Sequence, residues 1–559
     1  MGKQRHGDLD SGHKGDSLFG GALKIVNNIL FTLLATGVLV LSDLSFRAYK
    51  GNLPLRFEGE DLYELIGLVF LMSLLSTRMK RFMAFAFIMF LSFIQMVHIV
   101  FYGTMIFPFE IWLGFTQAGE IADTLKVLYT SAIAPLGIIS IFSVCLFWLI
   151  KKMDGKLLGF RYTGIVILII LSLPAIRSYF VNHNFGKQPR VNEHTVRAMI
   201  GSLSYFSGRV LPAKLSRPTY AKEKHPVLEN ADVNANIIFV LGESLRYDHM
   251  SLYGYKRKTT PLLDGMVDDK NFIFRKAVSA GVSTDTAVPS IFNVVEGEGA
   301  YEKLYTSNTC LFTLARSAGF ATHFMSAQGE NYLKHIYNYI CPGDMDTYYN
   351  GSMTTGDYNN GVMDMELFKN LEQIDFSKNN FIVLQQRGSH APYSKRYTPE
   401  FEKFKNKKGD SFRVTMNNEY DNSVLYTDAF LKKVFKFVKS HAGKKPLYVV
   451  FTSDHGESLG EDEYYFHAHI HETLFRVPFI FYGVNGEAEV MNMIKSLPQF
   501  PRHYDISQIL VSLMGYKRTY VYNGTGVHYV SGADMNGFAG YMTVEVKDGK
   551  IVEIKKFFD

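Results

Sequence analysis

Cysteine is scarce, with three in 559 residues. That count excludes a disulfide-dense scaffold. Cys145 lies in an apolar run, so Cys310 and Cys341 are the one candidate pair, provided their part of the chain is extracytoplasmic. The net charge is only +6 and is not clustered, which removes the case for a nucleic-acid partner. The basic run Lys405–Lys408 reads as a solvated turn. No internal repeat is evident. The first apolar stretch lacks a small-residue cleavage site, so a removed signal peptide is not expected. The apolar segments show no paired interruptions and the ionisable Glu64 sits near a segment boundary, which argues against a transporter.

What is present is a mixture. Hydrophobic residues make up 47% and aromatics 14%, yet charged residues still reach 20%. Such a chain is too long for one ordinary domain and reads as a membrane part joined to a soluble part. Residues 1–22 are polar and read as a disordered cytoplasmic tail. Residues 23–181 carry five apolar segments, Leu23–Ser42, Leu62–Ser76, Phe82–Tyr102, Ser131–Ile150 and Tyr162–Val181. Four are about 20 residues, enough to cross a bilayer as helices. The second is shorter and contains Glu64.

Arg78, Lys80 and Arg81 in the second connection, and Lys151, Lys152, Lys156 and Arg161 in the fourth, place those connections in the cytoplasm. Five crossings then put everything after Val181 on the outer side. Arg47, Lys50 and Arg56 oppose this rule. The outer connection, residues 103–130, is amphipathic, with Phe107, Trp112 and Phe115 among few charges, and is expected to lie in the interface. Its Thr116 and Glu120 fall four apart, on one helical face. Residues 182–232 read as a bridge of short helices and linker.

From residue 233 to 559 strands alternate with helices. Strands are expected at Ile237–Leu241, Ala321–Met325, Phe381–Gln385, Leu447–Thr452 and Phe479–Tyr482. Helices are expected at Ala287–Val295, Thr309–Ala318 and Asn418–Lys439. The pattern predicts an α/β domain with a mostly parallel sheet.

The chemistry gathers at strand ends. The stretch Phe451-Thr-Ser-Asp-His-Gly-Glu457 reads as a buried strand that delivers Asp454 and His455 from its carboxyl end. Glu243 follows the first strand. Ser283-Thr-Asp-Thr286 precedes a helix, and Asp285 reads as its cap. His390 follows the third strand in Arg-Gly-Ser-His-Ala-Pro, and His467 comes twelve residues after His455. In an open α/β sheet such ends converge on one crevice. Glu, Asp and His together suit zinc, with manganese as the second choice. Ser283, Thr284 and Thr286 all remain candidate nucleophiles. His469 and His471 read as structural, although the cluster His467-Ala-His-Ile-His471 offers further metal ligands. Tyr253 and Tyr255 read as packing residues.

These residues carry a resemblance. Gly242-Glu-Ser-Leu-Arg246, Leu252-Tyr-Gly-Tyr255, Thr259-Thr-Pro261, Gly281-Val-Ser-Thr284, Gly388-Ser-His390, Asn418-Glu-Tyr-Asp-Asn422 and Ser453-Asp-His-Gly-Glu-Ser-Leu-Gly460 resemble the phosphoethanolamine transferases of Gram-negative inner membranes, in the alkaline phosphatase and sulfatase superfamily. The resemblance implies a five-helix membrane domain before a periplasmic catalytic domain. It implies zinc held by Glu243, Thr284, Asp454 and His455, with Thr284 also the nucleophile. His390 and His467 match positions that bind the phosphoethanolamine group or a second zinc. Thr116, Glu120 and Lys334 match substrate-binding positions, although Trp112 stands where some members carry Asn.

The implied donor is phosphatidylethanolamine and the implied acceptor is lipopolysaccharide, at a lipid A phosphate or a core sugar. A phospho-threonine would carry the group between them. A monomer is expected. Adding an amine to an anionic lipid weakens its hold on cationic peptides such as polymyxin. A phosphoglycerol transferase of the same superfamily, or transfer to a periplasmic glucan, is the alternative. The departures concern the acceptor. Ala280 and Ser290 replace the cysteines that flank the nucleophile in lipid A-modifying members, and Gln385 stands where some have His.

Overall fold

The computed structural model describes residues 13–533 and 540–557, except 52, 54, 56–58, 103–104, 107, 117–128, 154–161, 181–192, 216–225, 298–302, 305, 463 and 518–520. The chain divides into two compact units, Met1–Trp112 with Leu128–Leu215, and Leu113–Val127 with Ser216–Asp559.

The first unit is helical. Among the described residues three helices are long and apolar enough to cross a membrane, at Gly21–Lys50, Arg78–Val100 and Ile133–Lys152. The apolar helix Thr163–Arg177 is shorter, and the second expected segment forms a helix of 15 residues, Gly59–Ser73. Phe31, Leu39, Leu65, Val69, Phe85 and Met96 pack in one buried cluster between these helices.

Arg47 and Glu64, two of the charges that looked out of place, are paired, and Arg56 lies outside the described residues. Arg47 is buried, 3.3 Å from Asp43, and donates to the Glu193 carbonyl at 2.6 Å. It is therefore an internal tie and not a free loop charge. Glu64 meets Arg197 at 2.6 Å, and the same guanidinium reaches Asp61 at 2.9 Å and Glu193 at 3.2 Å. The helix that carries Arg197, Thr195–Tyr205, belongs to the expected bridge and packs within this unit.

The second unit is built on a seven-stranded sheet. Its strands are β1 (Asn236–Gly242), β2 (Phe272–Val278), β3 (Ala321–Ser326), β4 (Thr347–Tyr349), β5 (Asn380–Gln385), β6 (Leu447–Ser453) and β9 (Arg476–Val484), in the order β2-β9-β6-β1-β5-β3-β4. The strands β7 (Ser458–Glu461) and β8 (Tyr464–Phe466) form a separate pair, and β10 (Gly526–Ser531), β11 (Tyr541–Lys547) and β12 (Lys550–Phe557) a separate antiparallel sheet.

β1, β5 and β6 are unbroken apolar runs, and every residue in them is buried. That is what a central parallel strand covered on both faces requires. The sheet is mixed at one side, where β9 runs antiparallel to both β6 and β2. β2 escaped the sequence pattern because Arg275 and Lys276 interrupt its apolar run. Its aromatic residues still pack inward, with Phe272 6.0 Å from Phe435. Cys310 and Cys341 are joined, as paired in the sequence, and Cys145 is free and exposed.

Candidate active site

β1 lies between β5 and β6, with Leu241 opposite Gln385 and Gly242 opposite Ser453. The residues after those strand ends, Glu243, the Arg387–His390 turn and Asp454, therefore emerge at one level. Thr284 comes to the same place as the first residue of the helix Thr284–Asn293, with Ser283 at its N-cap position. Asp285 lies in the first turn of that helix, where a carboxylate suits the positive end of the dipole.

The four side chains converge. Thr284 Oγ1 donates to Asp454 Oδ2 at 2.7 Å and lies 3.3 Å from Glu243 Oε2 and 3.4 Å from His455 Nε2. His455 Nε2 lies 3.4 Å from Glu243 and 3.5 Å from Asp454. Its Nδ1 donates to the Gly456 carbonyl at 2.7 Å, which turns Nε2 toward the carboxylates. Glu243, Asp454 and His455 are all buried. Ser283 and Thr286 take other partners: their hydroxyls lie 3.4 Å apart, and Thr286 also donates to the Ser283 carbonyl.

This donor set fits a divalent cation. One atom each from Glu243, Asp454 and His455 lies within 4.8 Å of the others. Two buried carboxylates side by side repel, and burial together with the Glu243 charge pushes the Asp454 carboxyl up to about 7. Burial would raise Glu243 too, but the His455 imidazole holds it below the usual carboxylate range. Burial alone would lower His455, yet Asp454 and Glu243 raise it to about 10. Excess negative charge in a dry pocket is the condition that a bound cation relieves.

Two more imidazoles stand beside this cluster. The His467 ring is 4.5 Å from His455 and 5.0 Å from His390. His467 Nδ1 donates to Glu457 Oε2 at 2.9 Å, and the other oxygen of that buried carboxylate accepts from Tyr393 at 2.7 Å. His390 Nδ1 donates to the Ala391 carbonyl at 2.6 Å. Burial and His467 push His390 down to about 3, against the pull of Glu243. His455, Glu457 and His467 make a second group with metal-binding spacing.

The other expected positions differ in placement. Lys334 is exposed, and its Nζ donates to Asn331 Oδ1 at 2.6 Å. Thr116 ends the helix Pro108–Thr116, but its side chain, like that of Trp112, lies outside the described residues, as does all of Glu120. His469 bonds Ser458 at 3.0 Å and His471 bonds Thr473 at 2.8 Å, so both hold local turns.

The remaining motif residues fasten the site. Tyr420, on the helix Phe412–His441, donates to the Ser244 carbonyl at 2.7 Å and accepts from the Arg246 amide at 2.9 Å. Asp421 beside it accepts from His249 at 2.8 Å, Arg257 at 2.8 Å and Tyr255 at 3.0 Å. Tyr253 donates to the Phe479 carbonyl at 3.0 Å. Tyr253 and Tyr255 thus bond as well as pack. Gly388 has φ +50, and a Cβ there would meet the Glu243 carbonyl at 2.6 Å. Only glycine lets that turn lie against the Glu243 backbone.

Sequence reasoning passed over Tyr332, Glu457 and His503. Glu457 lay inside a quoted motif, whereas Tyr332 carries no spacing signal. His503 accepts from the Ala280 amide at 3.0 Å and donates to the Ser453 carbonyl at 2.9 Å, which steadies the end of β6. Burial pushes its imidazole from 6.5 down to about 3. Its contribution is complete above pH 6.5. Below that, the unfolded chain takes up a proton that the folded one does not, and stability falls by about 1.4 kcal/mol per pH unit until about pH 3. Urea denaturation of the detergent-solubilised chain should therefore show wild type losing about 2 kcal/mol more than His503→Gln between pH 7 and pH 5. Equal losses would remove this assignment.

The sulfatase family profile matches residues 235–516. Phosphoethanolamine transferase EptA of Salmonella typhimurium is 28% identical over 368 residues, 62% of this chain and 65% of that protein. Phosphatidylethanolamine transferase Mcr-1 of Escherichia coli is 27% identical over 63% of this chain and 68% of its own length. Kdo(2)-lipid A phosphoethanolamine 7''-transferase of Escherichia coli is 26% identical over 52% of this chain and 53% of its own. The chain thus spans 65% of the length of the EptA relative. Among solved structures, the integral membrane protein lipooligosaccharide phosphoethanolamine transferase A (EptA) from Neisseria meningitidis shares the fold at TM-score 0.55 and 16% identity, over 89% of this chain and 97% of that one. The profile match spans Glu243, Thr284, Asp454 and His455 and places the chain in the sulfatase family; its relatives include proteins named as phosphoethanolamine transferases.

Proposed function

We propose that the chain transfers phosphoethanolamine from phosphatidylethanolamine to lipopolysaccharide, through a phospho-threonine at Thr284. One observation carries the reading. Thr284 Oγ1 stands at a helix N-terminus, 2.7 Å from Asp454 and within 3.4 Å of Glu243 and His455. A threonine hydroxyl is a poor nucleophile unless its proton is removed and the negative charge on its oxygen is stabilised. A zinc ion held by Glu243, Thr284, Asp454 and His455 would supply that charge stabilisation.

In the first step Thr284 Oγ1 gives its proton to Asp454 and bonds to phosphorus, and the bond from phosphorus to the diacylglycerol oxygen breaks. That oxygen leaves with a proton from an acid. In the second step an acceptor oxygen bonds to phosphorus and loses its proton to a base, while Thr284 Oγ1 leaves and takes its proton back from Asp454. His467, oriented by Glu457, is the group assigned as that acid and that base. His390, held near 3, stays neutral and lines the headgroup pocket. Thr116, Glu120 and Lys334 complete donor binding. The helical unit crosses the bacterial inner membrane five times, and residues 233–559 work in the periplasm as part of a monomer.

The names of the relatives support the transferred group, and one of them names Kdo(2)-lipid A as its acceptor. The test is mass spectrometry of lipopolysaccharide from cells with wild type or Thr284→Ala, with lipid A and core separated. A phosphoethanolamine increment in one fraction, absent in the variant, is expected. Absence from both fractions would overturn the acceptor and direct the search to glucans or to phosphoglycerol as the group moved.

A further inference from the structure

Tyr332 belongs to no motif read from the sequence, yet its hydroxyl touches the reacting atom. It lies 2.9 Å from Thr284 Oγ1 and 2.6 Å from Glu243 Oε2. We infer that Tyr332 is a further catalytic residue, a neutral hydrogen-bond donor to the phosphoryl group while that group is bound to Thr284. The inference deepens the transfer reaction proposed above and rests on it.

The argument starts from protons. A phenol and an alcohol each own one. The Thr284 proton goes to Asp454 at 2.7 Å and the Tyr332 proton to Glu243 at 2.6 Å. The two oxygens nevertheless lie 2.9 Å apart, at hydrogen-bond distance from each other. Once Thr284 Oγ1 is bonded to phosphorus it has no proton to give. A turn of the Tyr332 O–H about its own C–O bond, with no movement of the ring, then directs its proton at the phosphoryl oxygens beside Oγ1. A donor already in place where negative charge grows costs no reorganisation during the reaction.

The phenol is held by its backbone. It sits on the short helix Glu330–Leu333, whose Leu333 is buried in the main core. The Glu330 amide donates to Ser352 Oγ at 2.8 Å, and the Asn331 amide donates to the Tyr358 carbonyl at 2.9 Å. Gly329 before the helix passes so close that a Cβ would lie 3.0 Å from that same carbonyl. The ring meets His390 edge-on, with centroids 6.0 Å apart. Lys334, two residues on, instead bonds Asn331 at the surface, so Tyr332 is the side chain this segment gives to the reacting atom.

The experiment is Tyr332→Phe in the full-length chain, which removes one oxygen and keeps the ring. Phosphatidylethanolamine labelled in its headgroup is the donor, in detergent micelles. The expected result is a fall in kcat of about 100-fold, the scale of losing one such donor. KM should stay within about twofold, and zinc content and melting temperature should match wild type. Single-turnover labelling of Thr284, and loss of that label to acceptor, should both slow. A variant within about twofold of an active wild type overturns the inference alone. Activity lost together with zinc also overturns it, since the phenol would then be serving the ligand cluster. A wild type that moves no label overturns the proposed transfer reaction, and this inference falls with it.

Discussion

Thr284→Ala is expected to bring transfer to background, a loss of three orders of magnitude or more, while the chain still folds. The size follows from the chemistry. Alanine leaves no atom that can bond to phosphorus, and the neighbouring hydroxyls of Ser283 and Thr286 are engaged with each other. The fold has little stake in this side chain, because Thr284 opens its helix and is not part of the main apolar core. Glu243, Asp454 and His455 remain, but Thr284 is itself one of the proposed zinc ligands, so the variant should also bind zinc more weakly. The checks are labelled-headgroup transfer, metal content and thermal melting on one preparation. Transfer above a tenth of wild type would remove Thr284 from the nucleophile's role.

Asp454→Ala is expected to lose metal and activity together. This carboxylate does more than face the cluster. Oδ1 accepts from the Ser244 amide at 3.1 Å and the His455 amide at 2.7 Å, while Oδ2 accepts from Thr284. Its removal takes away one ligand and frees the backbone that aims two others. Loss of an outer partner of a metal ligand commonly costs 10- to 100-fold in affinity, and loss of a ligand itself should exceed about 100-fold. Asp454→Asn separates charge from shape. It should keep the fold and lose the metal, and full zinc occupancy in either variant would dismantle the proposed ligand set. Chelation of wild type should give the same loss of activity, reversed by adding zinc.

The central sheet was legible because its strands carry their own signal. Ile237–Leu241, Phe381–Gln385 and Leu447–Thr452 are apolar runs that end in Gly-Glu, Gln-Arg-Gly and Ser-Asp-His, and a run of that kind has few other places to go. Glu243, Asp454 and His455 were legible for the same reason, since a polar residue just past a buried strand sits at the sheet's open end. β2 was hidden by Arg275 and Lys276, whose place at the edge of the sheet, beside β9, is a tertiary fact. The pairing of Glu64 with Arg197 joins residues 133 apart in sequence and has no local trace. Tyr332 is the clearest case. Its short helix is set by contacts with Ser352 and Tyr358, and no periodicity in residues 327–334 announces them.

The neighbouring positions of β5, β1 and β6 bear on how such a chain tolerates insertion and deletion. Adjacent strands lie about 4.8 Å apart, a spacing fixed by the peptide ladder and by no particular side chain. Glu243 and Asp454 are hung one spacing apart, so their separation survives exchange of almost every core residue for another of similar bulk. It does not survive a change of count. Removing one residue between Leu447 and Ser453 would slip β6 against β1 and turn Asp454 to the opposite face. The segments between strands carry no such restriction. Length polymorphism between related chains should therefore collect in the connections and stop abruptly at residues 236–243 and 447–455.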